Sequence, residues 1–207
     1  MTRQQKILSF MQRPGYKPLK FDELAKALNI PKKDLHLLSG ALDELLCNGI
    51  IVKNKRGRYD LSSNAGLITG RFRASSASGG FVVPDDGSED IYICKDGCLG
   101  AMNGDTVMVR IRKKASQNRK REGEVKRIIK RFHETVIGSF YIDRLGRYML
   151  LPNDPKLNIS IYLSKEGCST LSENDKIIAK ITHWPKKNTS AKAQFIEFLG
   201  PADDPAT

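Results

Sequence analysis

A block of this chain returns seventy residues later. Lys95-Asp96-Gly97-Cys98 is answered by Lys165-Glu166-Gly167-Cys168. At the same offset Ile91-Tyr92-Ile93 matches Ile161-Tyr162-Leu163, Asn103-Gly104-Asp105 matches Glu173-Asn174-Asp175, and Val107-Met108-Val109-Arg110-Ile111 matches Ile177-Ile178-Ala179-Lys180-Ile181. At an offset of 68, Phe81-Val82-Val83-Pro84 matches Met149-Leu150-Leu151-Pro152. Ordered blocks at nearly constant spacing mark a duplication, so the chain holds two copies of one unit.

Each unit carries five strand-like runs. In the first they are Leu67–Ala74, Gly80–Val83, Asp90–Ile93, Thr106–Arg112 and Glu122–Arg131; in the second, Thr135–Ile142, Arg147–Leu151, Ile159–Leu163, Lys176–Ile181 and Ala191–Leu199. Gly-Asp and Asn-Asp pairs launch the fourth run of each unit as turns. The last run of each alternates poorly, as bent barrel strands do. Five short strands in so little chain predict a small closed barrel, for which the OB-fold is the common solution.

Residues 1–61 read differently. Ile7, Leu8 and Met11 share one helical face; Phe21, Leu24, Ala25 and Leu28 recur at helical spacing; Leu35, Leu38, Leu42, Leu45 and Leu46 mark a third helix closed by Asn48-Gly49. Ile50-Ile51-Val52, a basic turn from Lys53 to Arg58, and Tyr59-Asp60-Leu61 read as a hairpin. Three helices and a hairpin predict a winged helix-turn-helix. On a nucleic-acid reading, Lys32, Lys33, His36 and the wing residues Lys53, Lys55, Arg56 and Arg58 contact phosphate. On the alternative they are solvated surface of a protein-docking module, since Asp34, Asp43 and Glu44 share the proposed reading helix. The predicted fold is thus mainly β with an α-rich start. Its domains are 1–62 (winged helix), 63–132 and 133–200 (barrels), with 201–207 as a linker.

Charge narrows the partner. The net charge is +12, and Arg110 to Arg131 alone supplies 11 Lys/Arg against Glu122 and Glu124. A local field of that sign seeks a polyanion. With no run of about 18 apolar residues and no signal peptide at Met1-Thr2-Arg3-Gln4-Gln5, nucleic acid is favoured over membrane. Phe81 and Tyr92 fall on adjacent predicted strands, where they form either core or a platform for unpaired bases. Phe72 is read as a third ring. Arg71, Arg73, Arg110, Arg112, Lys113, Lys114, Arg119, Lys120 and Arg121 surround them as phosphate contacts, while Tyr141, Tyr148 and Tyr162 are the second unit's candidates.

Gly79-Gly80-Phe81-Val82 and Asp90-Ile91-Tyr92-Ile93 look like the two ribonucleoprotein motifs of a cold-shock domain. A winged helix followed by two such barrels resembles the N-terminal region of the ribonuclease R enzymes, in the ribonuclease II family of 3′-to-5′ exoribonucleases. The likeness runs from about Ile7 to Gly200, and domain order is its specific part. Two positions depart from the pattern: Gly79 stands where an aromatic is usual, and Cys94 where histidine is frequent. The resemblance implies a region that grips single-stranded RNA, or structured or ribosome-associated RNA, for a following Mg²⁺-dependent nuclease domain with clustered aspartates.

No catalytic constellation is read within the chain, so it is expected to be inactive alone and to need no cofactor. Asp203 and Asp204 are read as linker, and Asp85, Asp86, Glu89 and Asp90 as a solvated loop. Cys47, Cys94, Cys98 and Cys168 lack a second pair at zinc-like spacing and read as free thiols, which suits a reducing cytoplasm. A monomer is expected. Two competing readings stand beside the exoribonuclease one: a winged-helix DNA-binding regulator, and a protein-interaction scaffold with weak RNA binding.

Overall fold

The computed structural model describes residues 2–75, 79–113, 121–157, 159–186 and 189–201. Helix α1 (Arg3–Met11) starts at Thr2, whose hydroxyl accepts from the Gln5 amide while the Gln5 side chain accepts from the Thr2 amide. Helix α2 (Phe21–Ala27) and helix α3 (Leu35–Cys47) follow, the latter after a short 3₁₀ turn at Lys32–Asp34. Strands β1 (Ile51–Lys53) and β2 (Tyr59–Leu61) form an antiparallel hairpin. Ile7, Met11, Leu24, Leu38, Leu42 and Leu45 point into one core with Ile51, Tyr59 and Leu61. The helical spacing of these residues sets which faces meet, so burial of that stripe, rather than helix propensity, holds the three short helices.

The remainder is two five-stranded closed barrels. The first comprises β3 (Leu67–Ala74), β4 (Gly80–Pro84), β5 (Ile91–Ile93), β6 (Thr106–Lys113) and β7 (Arg121–Lys130). The second comprises β8 (Thr135–Ile142), β9 (Tyr148–Pro152), β10 (Ile161–Leu163), β11 (Lys176–His183) and β12 (Ala191–Gly200). In both, three strands meander antiparallel and the fourth returns to pair with the first. The fifth pairs antiparallel with the fourth and parallel with the third, which closes the barrel.

The duplication reaches single hydrogen bonds. The Gly104 amide donates to Phe72 O and the Phe72 amide to Asp105 O, each at 2.8 Å; the Asn174 amide donates to Phe140 O and the Phe140 amide to Asp175 O, also at 2.8 Å. Register shifts between the fourth and fifth strands fall after Thr106, Met108 and Ile111 in one barrel and after Lys176, Ile178 and Ile181 in the other. These bulges explain the broken alternation of the last strand-like runs. The second barrel's strands β9 and β10 begin later than the residue pattern suggests. Arg147 is drawn into the preceding turn by Asp143, and the Ile159 amide closes a tight turn on Leu157 O at 2.7 Å.

The parts touch one another. Gly49, at φ +69°, caps α3 and lies on the first barrel against Ile129, Met108 and Thr69. Between the barrels, Met102 from the first enters the second barrel's core. Arg131 sits over the Trp184 ring at 5.4 Å and pairs with the buried Asp105 at 2.8 Å. Among the described residues no helix is long and apolar enough to cross a membrane.

Candidate nucleic-acid interface

The pairing register lays five outward side chains in one rung across the first barrel: Arg73 opposite Phe81, Phe81 opposite Tyr92, Tyr92 opposite Glu122 and Glu122 opposite Lys113. Phe81 and Tyr92 are half-buried, with ring centroids 5.5 Å apart and planes tilted by 57°. Strand alternation puts the intervening Val82, Ile91 and Ile93 inside the barrel. Two rings held side by side by cross-strand pairing form a wall against which flat, apolar base faces can stack.

The glycine before this rung has a steric reason. Gly79 sits at φ +75°, and a Cβ there would collide with the Ile93 carbonyl oxygen. Tight approach of this segment to β5 therefore excludes an aromatic at position 79. Ser78 lies outside the described residues.

Phe72 does not belong to the platform. It is 1% exposed and fills the barrel core with Val82, Ile91 and Val107. Its register partner is Val82, not Phe81, so it faces inward. Arg71 is exposed but lies over the Phe132 ring at 5.2 Å, at the join between barrels.

The basic run divides. Arg110 is exposed on β6. Lys113 bonds Glu122 at 2.7 Å, and Arg112 and Lys126 both pair with Glu124. Those pairs, Lys126 first, hold the Glu124 carboxyl below the usual carboxylate range. Arg112 and Lys113 nonetheless keep 62% and 65% of their side chains in solvent, so both remain open to a phosphate. Arg121 is half-buried and bonds Ser88 Oγ at 3.1 Å, which makes it a brace for the β4–β5 loop. Lys114, Arg119 and Lys120 lie outside the described residues.

The second barrel carries an equivalent rung: Tyr141, Met149, Tyr162, Lys192 and His183. Tyr141 and Tyr162 are the second unit's candidates from the sequence, and the register adds Met149, Lys192 and His183 to them. The repeat itself held the signal, because offsets of 68 and 70 carry Phe81, Glu122 and Lys113 onto those three. Tyr148 is displaced from the rung and packs edge-on against Phe140 at 5.2 Å, as part of the core. Arg147 lies over the Tyr162 ring at 4.8 Å, so one face of that tyrosine is already occupied.

In the helical module, Lys32, Lys33, His36, Lys55 and Arg56 are exposed, and Lys53 lies over the Tyr59 ring at 5.1 Å. Arg58 bonds Glu23 at 3.1 Å and Pro18 O at 2.9 Å, which ties the hairpin to α2. A cleft of about 370 Å³ opens between the barrels beside Gly79, with Lys95, Lys156 and Lys186 on its walls. Asp96 also lines it, so three lysines stand against one carboxylate on its walls.

Residues 70–128 match the Ribonuclease B OB domain, and residues 150–207 match the Cold shock domain. The two five-stranded barrels are thus OB-like and similar to cold-shock domains. Ribonuclease R of Aquifex aeolicus is 29% identical over 89% of this chain and 25% of its own length. Ribonuclease R of Acidithiobacillus ferrooxidans is 25% identical over 94% of this chain and 44% of its own, and Ribonuclease R 1 of Lactococcus lactis 28% over 99% and 27%. The chain therefore resembles a ribonuclease R N-terminal region, and it spans less than half the length of these relatives. Mycoplasma genitalium RNase R, solved with ribose-methylated single-stranded RNA, superposes with a TM-score of 0.60 at 23% identity, over 67% of this chain and 22% of that one. Yeast Ssd1, a pseudonuclease, gives 0.56 at 17%, over 86% and 25%. Those two show the shared fold.

Proposed function

We propose that this chain is the RNA-binding, substrate-delivery region of a 3′-to-5′ exoribonuclease of the ribonuclease R kind. Phe81 and Tyr92 stack on unpaired bases, and Arg73, Arg110, Arg112, Lys113 and the Lys114–Lys120 segment hold the phosphates. The strand continues along the cleft towards Tyr141. The N-terminal module acts as a winged helix that engages structured RNA through Lys32, Lys33 and Arg56. Processive hydrolysis, with its Mg²⁺, is assigned to a separate nuclease domain, as the greater length of the relatives supports.

The observation that carries this reading is the paired aromatic rung inside a field of cations. An enzyme-free binding site needs only those two features: π-faces for bases and diffuse positive charge for the backbone. A winged-helix DNA regulator would centre instead on α3, whose Asp43 and Glu44 repel phosphate.

Titration of the chain against labelled oligo(A), single-stranded DNA and duplex DNA at two salt concentrations tests this. Single-stranded RNA is expected to bind tightest and to weaken steeply with salt. Phe81→Ala and Tyr92→Ala should each cost about 1–3 kcal/mol of binding. The joint change of Arg112 and Lys113 to Ala should reduce the magnitude of the slope of log affinity on log salt by about 1.4, two phosphates at about 0.7 each on a single strand. Tighter binding to one duplex sequence, or wild-type affinity in both ring variants, would remove the reading.

A further inference from the structure

The first barrel's rung sets one acidic side chain beside its two rings. Glu122 is the register partner of Tyr92 on the parallel strand β7, and neighbouring strands lie about 4.8 Å apart. Both side chains share the outer face. Ile91 and Ile93, on either side of the tyrosine, are fully buried, and Gly123, next along β7, faces inward, where a Cβ would meet the side chains of Val109 and Ile91. A carboxylate is an unfavourable neighbour for a polyanion, because it repels the phosphates that the surrounding cations attract. Glu124, on the same face, is balanced by both Arg112 and Lys126. Glu122 is held by Lys113 through Oε2 at 2.7 Å, and among the described residues nothing bonds its Oε1.

The duplication supplies the comparison. On the second barrel Lys192 takes the place of Glu122 beside Tyr162, and His183 takes that of Lys113. A lysine only donates, so that rung meets acceptors such as phosphate. An ionised carboxylate only accepts. Of the two rungs, the first alone sets an acceptor-only group at the edge of its aromatic pair. Such a group calls for N–H donors, and unpaired RNA bases carry these on their Watson–Crick edges.

At the far end of the rung Arg73 is exposed, and no described carboxylate pairs with it. The phosphate of a nucleotide stacked on Phe81 and Tyr92 lies towards that cation, and the base edge lies towards Glu122. Guanine presents two N–H groups side by side, N1–H and N2–H, which match the two oxygens of one carboxylate. Adenine and cytosine set one amino group beside a ring nitrogen whose lone pair opposes the second oxygen. Uracil sets its N3–H between two carbonyl oxygens. We propose that Glu122 makes the first barrel selective for guanosine, accepting from N1–H and N2–H while Lys113 fixes the position of the carboxylate. Such selectivity rests on the stacking of bases at Phe81 and Tyr92, the function proposed for this rung.

Hexamers of uridine carrying one central guanosine or inosine, titrated against the full chain, test the assignment. Inosine lacks only the 2-amino group, so the ratio of the two affinities reads the second hydrogen bond with stacking held nearly constant. The guanosine hexamer should bind about fivefold or more tighter than the inosine one. In Glu122→Gln the carboxamide accepts from N1–H and donates to O6, a pairing that both bases offer, so the ratio should fall to about one. A largely exposed ion pair contributes little to stability, so the melting temperature of that variant should match the parent's. Equal affinities in the parent chain would overturn the assignment. So would a ratio that survives Glu122→Gln, the mark of a carboxylate that acts through charge alone. Phe81→Ala separates selectivity from stacking. If it weakens both hexamers while the parent shows no ratio, bases stack but Glu122 does not select among them. If it weakens neither, the platform is not used and the selectivity falls with it.

Discussion

Asp105 does more than launch a strand. Its carboxylate is fully buried and accepts from the Met102 amide at 2.8 Å, the Phe132 amide at 2.9 Å and Arg131 Nη1 at 2.8 Å. Burial pushes the Arg131 guanidinium down from its usual value, against the upward pull of Asp105. Its counterpart Asp175 accepts from the Ser172 amide at 2.7 Å, and no described arginine pairs with it. Asp105→Ala should therefore destabilise the chain by about 3 kcal/mol or more, and Asp175→Ala by about 1–3 kcal/mol, in chemical denaturation. Equal costs would remove Arg131 from the explanation. A second residue-scale test concerns the thiols. Cys47 is exposed, whereas burial, then Cys94 and Asp96, pushes the Cys98 thiol up to about 11. At pH 8 its thiolate is on the order of one in a thousand, so iodoacetamide should label Cys47 well before Cys98, as read by mass spectrometry. At this scale the sequence was only partly legible. Phe72 and Phe81 look alike in isolation. Which one faces out depends on the β3–β4 register, and that is set by a connection whose length does not reveal its geometry.

The element scale was far more readable. β3 and β8 occupy the residues expected of them, and most other strands shift by only one or two positions, because apolar runs bounded by glycine, asparagine and aspartate leave little choice. The closed barrel was expected, but the residue pattern did not announce which strands close it, with β5 and β7 running parallel. The β8–β9 turn shows how one side chain sets an element boundary. Asp143 accepts from the amides of Leu145 and Arg147, both at 2.9 Å, and from Arg147 Nε at 2.6 Å. The Arg147 amide, foremost, holds its carboxyl below the ordinary aspartate value of 3.8. A folded-state value below the unfolded one stabilises the turn above pH 3.8 and loses that stabilisation as pH falls through the depressed value. Amide shifts of Leu145 and Arg147 should therefore move only on strong acidification, and in Asp143→Asn they should lose that transition. Gly79 sets another limit on elements. Gly79→Tyr would restore the aromatic usual at that position, yet it should destabilise the first barrel rather than strengthen RNA binding, because the left-handed backbone and the Ile93 carbonyl leave no room.

At the scale of the whole molecule the duplication announced two barrels, but not how they are fastened. Met102 has no apolar counterpart in the second unit, where position 172 is serine, and its burial is long-range. It leaves its own barrel to sit at 3% exposure among Leu157, Ile181 and Cys168 of the next. Gly100 lies against Pro185, and Arg131 both covers the Trp184 ring and bonds Gly100 O at 2.9 Å. Such a joint couples the stability of one barrel to the other, because unfolding either exposes the other's apolar surface. Trp184 is the chain's one tryptophan, so its fluorescence reports this joint directly. The two barrels should unfold in a single transition seen alike by tryptophan fluorescence and by circular dichroism. Met102→Ala removes a buried side chain that belongs to both barrels. It should cost about 2–5 kcal/mol and, by loosening the joint, separate the fluorescence transition from the dichroism transition. Two independent transitions in the parent chain would show that the barrels are merely adjacent. A rigid path for RNA between the two rungs would then have no structural basis.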